Sequence, residues 1–255
     1  MILRRLSANL KTQNWTAIAI EFLIVVVGVF IGTQVSNWNQ ERVEKRETRR
    51  LITELGPALK NFLDFFETSK TYYATTRAYS DTAFAGWRND PKISDEQFVI
   101  AAYQASQIYT FGLNGSSWAN VFGADRLREI DDVQMRRGLA VLMTNNYDSI
   151  EAPLATRYRE QVRHVIPEDI QDSIRTRCGD HPVPNIPLAI ELPRSCDLDF
   201  PAARFAAAAS GLRARPDLVG ELRWHRAVIA AFLSNLQPIE GQTREILARV
   251  HTDNR

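Results

Sequence analysis

The sequence predicts an all-α chain in which one N-terminal transmembrane helix continues into a long helix of an antiparallel helical bundle. Three observations carry this. Thr16 to Val35 is an unbroken, mostly apolar run, TAIAIEFLIVVVGVFIGTQV; as a helix it covers about 30 Å, the thickness of a bilayer's hydrocarbon core. From Thr48 onward, core-type residues recur at heptad spacing, the pattern of a helix with one packed seam. No segment shows sustained period-two alternation with β-branched residues, the pattern a half-buried strand requires. The divisions that follow are a short basic segment at 1–14, the transmembrane helix at 15–38, a charged helical stalk at 39–50 and an α-helical domain at 51–255.

A chain of 255 residues holds one anchor and one domain of ordinary size. Lys plus Arg number 31 and Asp plus Glu 30. That balance supplies no overall drive toward nucleic acid or an acidic partner. The 12 Phe, 5 Trp and 7 Tyr suffice for a core.

Met1 to Asn14 carries Ile2, Leu3, Leu6 and Leu10 on one side and Arg4, Arg5 and Lys11 largely on the other. It reads as a brief amphipathic helix on an anionic leaflet or as an unstructured basic tail. Trp15 and Trp38 bracket the apolar run, where amphipathic rings favour the two water–lipid interfaces. A cleaved signal peptide is the rival reading, but TQVSNWNQER continues the helix and offers no small-x-small cleavage site. Within the run, Glu21, Gly28 and Gly32 lie at i, i+7 and i+11 and share a stripe. Gly28-Val-Phe-Ile-Gly32 is a GxxxG, which lets two helix backbones approach closely in lipid. Glu21 is costly in hydrocarbon unless it finds a partner or reaches the interface. The stripe is therefore a candidate helix-association seam. The plainer alternative is two chance glycines and a snorkelling carboxylate.

The stalk, NWNQERVEKRETRR, has no apolar stripe but good helix formers and a Glu41–Lys45 pair at i, i+4. It reads as a solvated face, with a lipid-binding basic stripe as the alternative. The heptad seam then runs Thr48, Leu55, Phe62, Ser69, Thr76, Ala83, with Ile52, Leu59, Phe66, Tyr73, Ser80 and Trp87 offset by four. Gly56-Pro57 should kink it or mark a joint. Trp87 to Pro91 is a turn by composition. Ser94-Asp-Glu-Gln97 is a capping box opening a helix to about Tyr109. FGLNGSS, from Phe111 to Ser117, is a loop, after which Ser117 caps a short helix and Trp118 wedges between helices.

Asp131-Asp132 starts the next helix, which passes Leu139, Leu142 and Tyr147, is kinked by Pro153 and continues to His164. Pro167 opens a short helix ending at Cys178-Gly179. Asp199 to Ala209 forms another, stopped by Ser210-Gly211. Asp217 caps the last long helix, whose apolar face carries Leu218, Leu222, His225, Ile229, Phe232, Leu233 and Leu236, with a kink at Pro238.

The loop between Cys178 and Cys196 contains Pro182, Pro184, Pro187 and Pro193, which forbid regular helix. A disulfide would staple a segment without secondary structure and place the domain in an oxidising space, such as a bacterial periplasm. Two free thiols, or a metal site of Cys178, His181 and Cys196, are the rivals; three ligands without a CxxC pair argue against the metal. Orientation signals conflict. Arg4, Arg5 and Lys11 precede the span, and Arg42, Lys45, Arg46, Arg49 and Arg50 follow it, so the positive-inside count favours a cytoplasmic domain. The cysteine pair favours the opposite, an inner-membrane protein with a cytoplasmic N-terminus and a periplasmic domain, and that is the reading adopted.

The stretch GVFIGTQVSNWNQERVEKR, with the leading QNWTAIAIEFLIVV, resembles the N-terminus of an uncharacterised family of bacterial single-pass membrane proteins, which reads as an apolar run followed by IGxQVxNWNxxR. SSWANVFGADRLREIDDVQMRRGLAVLMTNNYDSIE resembles a second segment of that family, with Tyr147 alone where paired tyrosines are usual. The resemblance implies a membrane anchor with a helical extracytoplasmic domain and carries over no catalytic residue. No cofactor motif, nucleophile–base pair or metal-ligand cluster is visible in the sequence. Expected partners are the lipid bilayer, a second copy of the chain, and an unidentified membrane or periplasmic protein. The expected function is non-catalytic interaction or self-assembly in the envelope. An accessory ligand-sensing bundle acting through a partner membrane protein is the alternative, and a hydrolytic or metal enzyme comes after both.

Overall fold

A computed structural model describes residues 15–110, 127–187 and 189–253, with side chains described from residue 20 to 251. The basic N-terminal segment, the FGLNGSS loop, the Ser117 cap and Trp118 lie outside the described residues. The chain is mostly helical and divides into two compact units, 1–50 and 51–255.

The first helix, α1, runs Trp15–Trp87. In the first unit its apolar side chains are open: Phe22, Leu23, Ile24, Val29 and Phe30 are all more than half exposed. Arg42 folds back over the Trp38 ring, 4.7 Å from its centroid. Gln40 bonds Glu44 at 3.1 Å. The anticipated Glu41–Lys45 ion pair is not made.

The second unit begins at Leu51. There the heptad positions of α1 are buried, namely Ile52, Leu55, Leu59, Phe62, Phe66, Ser69, Tyr73, Thr76, Ser80 and Ala83, with Trp87 half-buried, and Phe65, Tyr72, Thr75 and Ala85 outside the heptads are buried beside them. Pro57 lies inside the helix and does not end it. The residues on either side, Leu55 and Leu59, are held in the core at 2% and 0% exposure, so packing outweighs the one backbone bond that proline removes. After the turn, where Asn89 takes a positive φ of 55°, α2 spans Asp95–Gln104 under the full Ser94–Gln97 capping box.

The segment expected as one helix kinked at Pro153 is broken. Helix α3 is Val133–Thr144, capped by Asp132; α4 is Tyr147–Glu151, capped by Asn146; a 3-10 turn holds Ala152–Leu154; and α5 is Arg157–Val165. Asn145 is extended, and the Asn146 side chain accepts from Ser149 N–H at 3.1 Å. A capping side chain thus restarts the helix ahead of the proline. Helix α6, Glu168–Cys178, follows Pro167.

The cysteine loop is not wholly irregular. Strands β1, His181–Pro182, and β2, Ile190–Glu191, form a short antiparallel ladder, turned at Asn185, whose φ is 63°. Helix α7, Ala202–Arg213, runs through Gly211. A Cβ at Gly211 would make an ordinary contact with Val165, and the glycine does not stop the helix. Helix α8, Asp217–Asp253, contains Pro238.

Two apolar clusters fill the unit. One joins Ile52 to Tyr73 of α1 with Leu139 and Leu142 of α3, Tyr147 and the Ile229 to Val250 part of α8. The other joins α2, α5, α6 and α7 with Leu218 and Leu222 of α8. Helix α2 packs chiefly on α7, and α8 on α3 and α5.

Candidate functional site

In the first unit, one helix is long and apolar enough to cross a membrane, and none of its apolar window is buried within the chain. An all-round apolar helix needs an apolar surround. Gly28 and Gly32 face open space: a Cβ at either would meet nothing within 4 Å. Glu21 is exposed beside them on the same stripe. The proposed seam is therefore unoccupied by any other part of the described chain. Trp38, at the far end of the run, is 60% exposed; the side chain of Trp15 lies outside the described residues.

In the second unit, the Cys178 and Cys196 sulfurs sit at disulfide distance, with Cα atoms 5.6 Å apart. Each sulfur is the other's partner, which leaves neither as a thiolate ligand, and His181 is exposed on β1. Among the described residues no group of three His, Cys, Asp or Glu is placed to hold a metal ion. Side-chain bonds fix the loop further. Tyr72 O–H donates to Asp180 at 2.8 Å, Tyr79 O–H to the Pro193 carbonyl at 2.7 Å, and Gln104 Nε2 to the Cys178 carbonyl at 2.6 Å. Burial raises the Asp180 carboxyl above the usual range, against the bond from Tyr72. Two open clefts flank the loop on α1. One, of about 490 Å³, is lined by Thr75, Ala78, Tyr79, Thr82, Arg194 and Cys196 among others. The other, of about 520 Å³, is lined by Thr68, Thr71, Tyr72, Ile190, Leu192 and Arg194 among others.

A buried polar cluster at the C-terminal end of α2 has no counterpart in the sequence reading. Arg159 Nη1 donates to the Ser106 carbonyl at 2.7 Å and to Gln107 Oε1 at 3.1 Å. Arg163 donates to Ser106 Oγ at 2.6 Å and to the same Gln107 oxygen at 3.1 Å, and lies 4.6 Å over the Tyr103 ring. Two cations thus sit at the negative end of a helix and satisfy the oxygens just past it. Burial, with Arg159 and Arg175 nearby, pulls Arg163 below its ordinary value. The i, i+4 spacing of Arg159 and Arg163 is a basic stripe in the sequence, but nothing local says which helix end it meets.

His225 is fully buried on the apolar face of α8, and its Nδ1 lies 2.7 Å from Thr156 Oγ1. That contact explains why Thr156, at the N-cap of α5, caps nothing. Burial first, then the charges of Arg159 and Arg163, depress His225 to about 4, so the ring is neutral at pH 7. Its Nε2 makes no well-directed hydrogen bond. No carboxylate pairs with it among the described residues, and His164 is exposed elsewhere on α5. A neutral ring with Thr156 as its hydrogen-bond partner ties α5 to α8. No protein-family model, curated protein or solved structure matches this chain.

Proposed function

We propose that this chain is a non-catalytic, membrane-anchored helical module for protein interaction or self-assembly in the bacterial envelope. In this reading α1 crosses the inner membrane once, the N-terminus is cytoplasmic, and residues 51–255 form a periplasmic antiparallel bundle. One observation carries it: an all-round apolar helix of membrane-spanning length that no part of the described chain covers. Left in water, that surface would favour aggregation; lipid is the surround that satisfies it. The cysteine pair at disulfide distance supports the oxidising side for the domain. The resemblance of IGTQVSNWNQER to the single-pass family points the same way.

The test is fractionation of the full chain in a Gram-negative host, followed by alkaline carbonate washing of the membranes. The protein is expected to stay in the membrane pellet; recovery from the soluble fraction before any wash would overturn the anchor. Crosslinking in those membranes then asks whether copies associate. Because a Cβ at Gly28 or Gly32 meets nothing among the described residues, loss of crosslinked dimer in Gly28→Leu or Gly32→Leu would report contact between copies. A wild-type chain that never crosslinks to itself removes self-assembly and leaves interaction with another protein.

The two clefts beside the cysteine loop favour a second reading, an accessory ligand-sensing domain. A thermal-shift screen of the detergent-solubilised chain against small polar metabolites tests it; no stabilisation by any of them would count against it.

A further inference from the structure

The first turns beyond the apolar run carry more cations than carboxylates on the Trp38 face. On a helix at about 100° per residue, Arg42, Lys45 and Arg49 fall within about 40° of Trp38 and Arg46 about 80° away; Glu41 falls about 60° away, beside Lys45, and Glu44 and Glu47 about 120° and 180° away. Trp38, Arg42 and Lys45 are exposed. Neither Arg42 nor Lys45 has a carboxylate partner among the described residues; Glu44 is bonded by Gln40 instead.

Direction matters as much as charge. Helical side chains lean toward the N-terminus of their helix, which here is the apolar run. Arg42 shows this: its guanidinium lies 4.7 Å from the Trp38 ring, one turn back. At about 1.5 Å per residue, the Arg42 and Lys45 backbones stand roughly 6 and 10 Å beyond Trp38, and the backward lean lowers their charges toward it. The polar layer of a bilayer is about 5–8 Å deep on each side. Both cations therefore come to rest at the depth of lipid phosphates if Trp38 marks the edge of the hydrocarbon.

We propose that Trp38, Arg42 and Lys45 form a binding site for the headgroup of an anionic phospholipid. The Trp38 ring sits at the hydrocarbon edge, and Arg42, held over that ring, offers its N–H fork to a phosphate oxygen. Lys45 adds a second charge on the same face. Arg supplies directed hydrogen bonds to phosphate and Lys a point charge. The site rests on the reading that α1 spans the membrane.

The experiment uses the full chain carrying Trp15→Phe, reconstituted in bilayers of mixed phosphatidylglycerol and phosphatidylcholine. In one set the phosphatidylglycerol has brominated acyl chains, in the other the phosphatidylcholine. Bromines quench tryptophan only at short range, and the Trp38 part of the signal is identified by its loss in W38F. Anionic lipid is expected to be enriched about fivefold beside Trp38, the preference falling toward one in high salt and in the Arg42→Gln, Lys45→Gln double variant. Equal quenching by the two lipids in the parent chain, or a preference that survives the double variant, overturns the proposal while the span stands. Absence of quenching by either lipid, in protein that resists carbonate extraction, overturns it by showing the face covered by protein. The same absence in protein that carbonate extracts refutes the span itself.

Discussion

Reducing the cysteine pair should lower the melting temperature of the domain by about 7 °C. The loop between Cys178 and Cys196 spans a sequence separation of 18. Cross-linking a loop of that size removes unfolded-state entropy corresponding to about 3 kcal/mol at 25 °C. A domain of roughly 200 residues has an unfolding entropy near 0.4 kcal/mol/K at its midpoint, so the loss converts to about 7 °C. In the folded state the loop keeps other ties, from Tyr72 to Asp180, Tyr79 to the Pro193 carbonyl and Gln104 to the Cys178 carbonyl. The unfolded chain gains freedom while the native contacts remain, which is the case the loop-entropy argument describes. The assay is differential scanning fluorimetry of the full chain in detergent, with and without reductant, beside the Cys178→Ala, Cys196→Ala double variant. Reductant should shift the parent and leave the double variant unmoved. A shift below about 2 °C in the parent would refute the reasoning, because the unfolded loop would then be no freer without the bond than with it.

Other substitutions read the packing. Gly86→Ala places a Cβ 2.1 Å from Phe98 Cδ2, and Phe98 is fully buried against Trp87; chemical denaturation should show a loss of about 2–3 kcal/mol. Gly138→Ala meets the Gln242 side-chain amide at 2.4 Å and Ile246 at 3.0 Å, and because the glutamine can swing aside its loss should be nearer 1 kcal/mol. Gly241→Ala meets nothing within 4 Å inside α8 and should stabilise by about 0.5–1 kcal/mol. His225 gives a pH signature. Its folded value of about 4 lies below the ordinary 6.5, so the unfolded chain binds the extra proton. Its contribution is whole above pH 6.5 and is lost as pH falls toward 4, by at most about 3 kcal/mol. Denaturation midpoints measured across that window should fall less steeply in His225→Gln than in the parent.

What was legible in the sequence is what depends on residues close together in it. The heptad positions from Ile52 to Ala83 are the buried face of α1 because burial on a helix repeats with the helix's own period. The Ser94–Gln97 capping box and the Asp132 cap are local hydrogen-bond solutions and appear where the residues stand. What was not legible depends on partners far away in the sequence. The helix expected to stop at Ser210-Gly211 runs on to Arg213. Thr156 pairs its hydroxyl with the ring of His225, 69 residues away, and its own helix start is left uncapped. Arg159 and Arg163 find the end of α2 more than 50 residues upstream.

The candidate surfaces divide along the same line. The Glu21, Gly28, Gly32 stripe and the Trp38, Arg42, Lys45 stripe follow from spacing on one helix, so their placement is fixed once the helix is granted. What the helix adds is the lean of the side chains, which brings Arg42 over the Trp38 ring. In solution a guanidinium over a surface tryptophan adds about 0.5–1 kcal/mol and is a minor ornament. At a water–lipid boundary the same contact holds a cation at the depth of the phosphates. If the proposed site holds, Arg42 and Lys45 do more than weigh in the count of positive charges beside the span: they bind the leaflet they emerge into. A basic stalk on the far side of a membrane, which the positive-inside count disfavours, is therefore compatible with a periplasmic domain wherever that leaflet supplies the anionic lipid.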